Sequence, residues 1–138
     1  MPTIKIELID KECKPMRMRE GDACFDLRSR ENYLLKPGEV GLIPVGIKTE
    51  IPLGYHAAVS ARSSMAKKGL LIANAPGIID SYYRDEWKVL LYNSTTRTFK
   101  INKGDRIAQF RIVKNVDFVL EEIDKVSLQK NRGGGFGS

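Results

Sequence analysis

The sequence predicts an all-β fold, an antiparallel sandwich, barrel or jelly roll, and three observations predict it. Short runs that alternate polar and apolar residues recur along the 138 residues, as half-buried strands require. Turn-forming clusters separate these runs at intervals of about ten residues, the rhythm of sandwiches and barrels. Hydrophobic residues make up 42% and charged residues 29%, which favours a packed core over disorder at the length of one ordinary domain.

The first run, residues 3–8, reads Thr-Ile-Lys-Ile-Glu-Leu and places its apolar side chains on one face. Similar runs occupy residues 39–43, 46–51, 55–61, 87–92, 98–101, 107–113 and 118–123. Between them stand Lys36-Pro37-Gly38, Pro52-Leu53-Gly54, Pro76-Gly77 and Lys103-Gly104-Asp105, where Pro presets φ and Gly or Asp tolerates a reversal. Residues 63–68, Ser-Ser-Met-Ala-Lys-Lys, do not alternate. They predict one short helix, stopped by Gly69, with Ser63 or Ser64 as a candidate N-cap. Residues 132–138, Arg-Gly-Gly-Gly-Phe-Gly-Ser, have too much backbone entropy to hold structure alone. The chain therefore divides into a β domain over residues 1–130 and a flexible glycine-rich arm over residues 131–138.

Composition narrows the function. No stretch approaches the roughly 20 apolar residues of a membrane span, and the opening MPTIKIELIDKE lacks the apolar centre of a secretory signal. Cys13 and Cys24 are too few for a disulfide framework, and no Cys or His cluster suggests zinc. A cytoplasmic protein, with both cysteines as thiols, is the expectation. Lys and Arg number 23 against 17 Asp and Glu, a net charge of +6, which favours an anionic partner. The basic residues are dispersed and no aromatic-interleaved or recognition-helix pattern accompanies them, so a nucleic-acid partner is not expected.

Five places in the chain carry residues suited to phosphate chemistry. In the arm, glycine backbone can aim several N–H groups at an anion and Arg132 adds a bidentate donor; Phe136 is out of keeping with a purely solvated tail. Ala61-Arg62-Ser63-Ser64 joins a strand to the predicted helix, where free N–H groups, hydroxyls and a guanidinium converge. In Ala73-Asn74-Ala75-Pro76-Gly77-Ile78-Ile79-Asp80-Ser81-Tyr82-Tyr83-Arg84-Asp85-Glu86, the apolar Gly77–Ile79 leads to Asp80, a carboxylate that can hold and polarise a water. Asp26, in GDACFDL, and Gln109, in GDRIAQ, complete the set. Each reading has an alternative: a frayed tail, an ordinary N-cap, a turn Asp, a polar residue at a strand edge. His56 follows Tyr55 in a strand pattern and is expected to be structural.

Taken in order, GDACFDLRS, ARSSMAKKG, NAPGIIDSYYRDE, KGDRIAQF and RGGGFGS resemble the five motifs of the trimeric dUTPases (dUTP diphosphatases). The resemblance runs from about Gly21 to Ser138. It implies a jelly-roll-like β barrel assembled as a homotrimer, with active sites at subunit interfaces and Mg²⁺-dependent hydrolysis of dUTP to dUMP and pyrophosphate. It implies Asp80 as the residue that activates the attacking water, and Asn74, with backbone of Gly77 and Ile79, as the uracil reader. Tyr83 would pack under the deoxyribose, and Arg62, Ser63, Ser64 and Gln109 would contact the phosphates. Asp26 would hold metal-bound water. Arg132, Phe136, Gly137 and Ser138 would close over a neighbouring site, Phe136 covering the base.

The sequence also departs from the family pattern. Cys24 and Ser64 stand where the family usually has Gly, Tyr82 and Asp85 replace the usual Asp and Gly, and the fifth motif is about one residue shorter. The sister enzyme dCTP deaminase typically carries the same Arg-Ser-Ser as residues 62–64, but uses a glutamate three positions before the strand-closing Asn. Counting back from Asn93 gives Leu90, which cannot move a proton. A non-catalytic relative is disfavoured by the complete set Asp26, Asp80, Tyr83 and Gln109.

Overall fold

A computed structural model describes residues 1–138, and two antiparallel sheets form its centre. The larger has the strand order β2–β11–β6–β8, made of Phe25–Arg28, Arg106–Lys114, Tyr55–Ser60 and Gly77–Ile79. The smaller, β4–β9–β7, is made of Val40–Pro44, Lys88–Asn93 and Leu70–Ile72. Two further pairs extend them: β1 (Lys5–Leu8) with β5 (Ile47–Glu50), and β3 (Tyr33–Leu35) with β10 (Phe99–Ile101). The result is an all-β, jelly-roll-like fold. Its one α-helix, α1 (Ser63–Lys67), follows β6.

Alternation explains which face each strand buries. In β9, Val89, Leu91 and Asn93 point inward while Lys88, Leu90 and Tyr92 are more exposed. Eighteen buried apolar residues form one continuous core, among them Leu27, Ile43, Leu70, Trp87, Leu91 and Ile107. Trp87 packs edge-on against Phe110 with ring centroids 5.0 Å apart, and its indole N–H donates to Thr49 Oγ1 at 3.0 Å. The largest buried side chain thus leaves no polar atom without a partner. Asn93, fully buried, ties three segments together. Its amide nitrogen donates to the carbonyls of Leu35 and Arg97 at 3.0 and 2.7 Å, and its oxygen accepts from the Thr95 N–H at 3.0 Å.

Two expectations need correction. Residues 118–123 form no strand; Phe118, Val119, Leu120 and Ile123 are 57–92% exposed, because no edge within this chain pairs with them. Neither Ser63 nor Ser64 is the N-cap. That position falls on Arg62, whose extended backbone ends the strand and whose carbonyl accepts from both Met65 and Ala66 N–H at 3.0 Å. The serines therefore lie inside the first turn with exposed side chains. No helix is long and apolar enough to cross a membrane.

Candidate functional site

The strand register gathers one group of the expected residues. Asp26 on β2 lies opposite Gln109 on β11, and Gln109 lies opposite Ser60 on β6. Two residues beyond Ser60 the chain turns through Arg62 into α1. Asp26, Arg62, Ser63, Ser64 and Gln109, with Cys24, consequently line one open cleft of about 500 Å³. The Arg62 guanidinium donates to Asp26 Oδ1 at 3.1 Å and to the Arg106 carbonyl at 3.2 Å. Arg106 reaches Asp26 Oδ2 at 3.4 Å. The Gln109 amide nitrogen donates to the Ala61 carbonyl at 3.3 Å. Asp26 is only 9% exposed, and two guanidinium groups flank it, so the shielded side chain does not lack partners.

The expected base and base-reading residues form a second group, elsewhere. Gly77 lies opposite Val59 and Ile79 opposite Ala57, so Asp80 comes level with His56, at the far end of β6 from Ser60. Strand geometry makes that offset about 13 Å along the strand. Moreover β8 and β11 flank β6 on opposite sides. Asp80, Asn74 and Tyr83 are exposed and none lines the cleft.

Local bonding shapes this second group. Asp80 and Tyr83 are the ends of a turn closed by a Tyr83 N–H to Asp80 carbonyl bond of 3.1 Å. The Tyr83 hydroxyl donates to the Glu86 carbonyl at 2.8 Å, and burial with the nearby Asp85 and Glu86 charges pushes the phenol above its ordinary pKa. Gly77 faces Asn74: a Cβ at Gly77 would stand 3.5 Å from both Asn74 amide atoms and 3.3 Å from Val59 Cβ. The Ala75–Pro76 peptide bond is cis.

Arg132, Phe136, Gly137 and Ser138 are exposed and none lines the cleft. The arm's tip is held only by itself, through Ser138 N–H and Oγ to the Gly135 carbonyl at 2.9 and 2.6 Å. Residues 133, 134, 135 and 137 all have positive φ, conformations that only glycine adopts freely. His56 Nδ1 lies 2.6 Å from Asn115 Oδ1 where the last strand ends, which fits its structural reading. Cys13 is buried and Cys24 partly exposed, both as free thiols.

Sequence reading passed over Arg106 and Glu86. Arg106 stands three positions before Gln109 in the same motif-like segment, and the bulge between Arg106 and Ala108 is what brings it to Asp26. Glu86 closes the segment around Asp80, and the Arg30 it pairs with is 56 positions away, a separation that carries no pattern.

A family model described as dUTPase matches residues 11–138. A deoxyuridine 5'-triphosphate nucleotidohydrolase of Nautilia profundicola is 41% identical over 137 residues, covering 98% of this chain and 96% of its relative. Among solved structures, the dUTPase of Staphylococcus bacteriophage 80alpha with dUPNHPP superposes with a TM-score of 0.85 at 25% identity, covering 98% of this chain and 96% of the other. A variant of the dUTPase from phage phi11 of S. aureus, described for its coordination of a structural Mg(II) ion, matches with a TM-score of 0.81 at 24% identity over 90% of this chain and 98% of the other.

Proposed function

The chain belongs to the dUTPase family, and from that premise we propose that it hydrolyses dUTP to dUMP and pyrophosphate, removing a source of uracil in DNA and supplying dUMP for dTMP synthesis. The observation that carries this reading is the division of the motif residues into a cationic, hydroxyl-lined cleft and a separate Asn74–Asp80–Tyr83 hairpin.

A triphosphate carries about four negative charges, which repel a nucleophile until donors neutralise them. Arg62, Ser63, Ser64 and Gln109 supply such donors in the cleft. Asn74 and the backbone of Gly77 and Ile79 read uracil through hydrogen bonds; a cytosine ring would leave them unpaired. Tyr83 presents its ring to the sugar and leaves no room for a 2′-hydroxyl. Asp80 accepts a proton from water as the water oxygen bonds to the α-phosphorus, and pyrophosphate leaves.

A Mg²⁺ ion fits this arrangement. No three His, Cys, Asp or Glu side chains converge, so the protein offers no cage. Mg²⁺ instead keeps several waters and binds through one or two carboxylates and substrate phosphates. Asp26 suits that role: an ionised carboxylate has about four lone-pair sites, and the two arginines leave room for a metal-bound water. When bound, the metal neutralises phosphate charge.

Asp80 and the cleft lie at opposite ends of β6, and in a homotrimer with sites at subunit interfaces the hairpin of one copy meets the cleft of a neighbour. The run of exposed apolar residues from Val116 to Leu128 supports such an assembly, since isolated proteins rarely leave so much apolar surface in water. Arg132, Phe136, Gly137 and Ser138 then close a neighbour's site and exclude water. The working compartment in this reading is the cytoplasm.

Product analysis with Mg²⁺ and separate dUTP, dCTP and dTTP tests the proposal. Release of dUMP and pyrophosphate from dUTP alone is expected. dUTP formed from dCTP, or no turnover of any nucleotide, would overturn it.

A further inference from the structure

The segment that carries Asp80 and Tyr83 hangs between two anchors. Before it, β8 is the outermost strand of the larger sheet, three residues long and paired only with β6. After it, Trp87 is fixed in the core, with its N–H donating to the Ile47 carbonyl at 2.9 Å. Residues 80–85 between them lie in no strand or helix. Tyr83 N–H closes the turn onto the Asp80 carbonyl, and the Tyr83 hydroxyl reaches the Glu86 carbonyl. Both bonds stay within residues 80–86, so neither sets how the turn leans on the rest of the molecule.

Arg84 makes the contact that does. Its Nη1 donates to the Ser81 carbonyl, to the Tyr83 carbonyl at 3.4 Å and to the Thr49 carbonyl on β5 at 3.5 Å. The bond to Thr49 is the only hydrogen bond or ion pair that joins residues 80–85 to residues outside 80–86. The bond to Ser81 is likewise the only one made by the peptide between Ser81 and Tyr82, so no other partner has already fixed that plane. Thr49 is a firm post. It is 4% exposed, pairs with Ile6 across β1, and accepts from the Trp87 indole at 3.0 Å.

We propose that Arg84 is a positioning residue: by fastening the Asp80–Tyr83 turn to Thr49 on β5, it holds the Asp80 carboxylate where it can take a proton from water. This rests on the reading of Asp80 as the base. A turn joined to a single edge strand can swing about its stem, and the swing moves Asp80. Asn74 and the cleft donors lie outside the turn and stay in place. Arg84 therefore acts on the chemical step more than on binding.

The test measures single-turnover rates on dUTP, and affinity for a non-hydrolysable dUTP analogue, in the wild type, Arg84→Gln, Asp80→Asn and the double variant. Arg84→Gln should slow turnover roughly tenfold to a hundredfold, the scale of a misplacement of about 1 Å, with analogue affinity retained. In the Asp80→Asn background it should cost nothing further, since a residue that acts through Asp80 has nothing left to position. Arg84→Lys keeps a cationic nitrogen with three donors and should recover part of the rate; the same cycle is run on it if circular dichroism shows Arg84→Gln unfolded. Lys5→Gln, in the same surface groove as Arg84, should leave the rate unchanged. Wild-type turnover in a folded Arg84→Gln, or an equal loss in both backgrounds, would overturn the inference. So would a loss of analogue affinity at an unchanged rate, which would make Arg84 a substrate contact. A wild type inactive on dUTP would overturn the underlying reading as well.

Discussion

Arg62 donates to the Asp26 carboxylate at 3.1 Å, and both side chains are largely shielded from solvent, at 21% and 12% exposure. The pair sets a cation and its counter-charge side by side in the lining of the cleft. Arg62→Ala removes the phosphate donor of the proposed reaction and leaves Asp26 with Arg106 alone. Affinity for a non-hydrolysable dUTP analogue, read by calorimetry, is expected to fall at least tenfold. Thermal unfolding should show a loss of about 1–3 kcal/mol, the usual cost of stripping a partner from a shielded charge.

Asp80 is exposed and makes no side-chain hydrogen bond that the core depends on. Asp80→Asn keeps its size and loses its basicity. Turnover is expected to fall by about 10²–10⁴, with stability changed by no more than about 0.5 kcal/mol and analogue binding retained. Full activity in that variant removes Asp80 from the role of base.

Two truncations separate the roles of the C-terminal segment. Removing residues 132–138 takes away glycine-rich backbone that packs on nothing. Activity should be lost while the unfolding temperature and the mass in solution stay unchanged. Removing residues 115–138 also removes Val116, Phe118, Val119 and Leu120. Light scattering is then expected to show the assembly dissociating, and an intact trimer would show that other surfaces carry it.

Acid should destabilise the fold in a defined window. Glu86 is held below its ordinary 4.5 by Arg30 and Gly46 against burial. Glu39 is lowered by the Tyr33 hydroxyl and Lys36 N–H, and Asp10, ordinarily 3.8, by Lys103. In each case the unfolded chain takes up its proton at higher pH than the folded one, so their contribution is complete above those ordinary values and is lost as pH falls past them. Urea midpoints measured from pH 7 to pH 3 should stay level and then drop, and Glu86→Gln should show a shallower drop.

Most strands were legible because alternation needs about five residues to show, and the runs at 39–43, 46–51, 55–61, 87–92 and 107–113 are long enough. β2, β3, β7 and β8 have three or four residues each and, unlike the equally short β1 and β10, were not marked by a run of alternation; tertiary pairing defines them. Residues 118–123 carry a strand pattern without a strand, since a pattern records which face wants covering and not which chain covers it. The motif residues were all legible by type and order. Their separation into two groups was not, for it depends on Gln109 and Ile79 pairing with different ends of β6. The Glu86–Arg30 pair was silent for a similar reason: charges far apart in sequence announce no partner.

The placement of Asp80 and the Arg62 cleft at opposite ends of β6 has a genetic corollary. In the proposed assembly, two impaired alleles, one Asp80→Asn and one Arg62→Ala, each damage a different half of a shared site. Co-expressed, their chains are expected to intermix, and in some assemblies an intact hairpin from one allele will face an intact cleft from the other. Activity in the mixture should then rise well above that of either variant expressed alone.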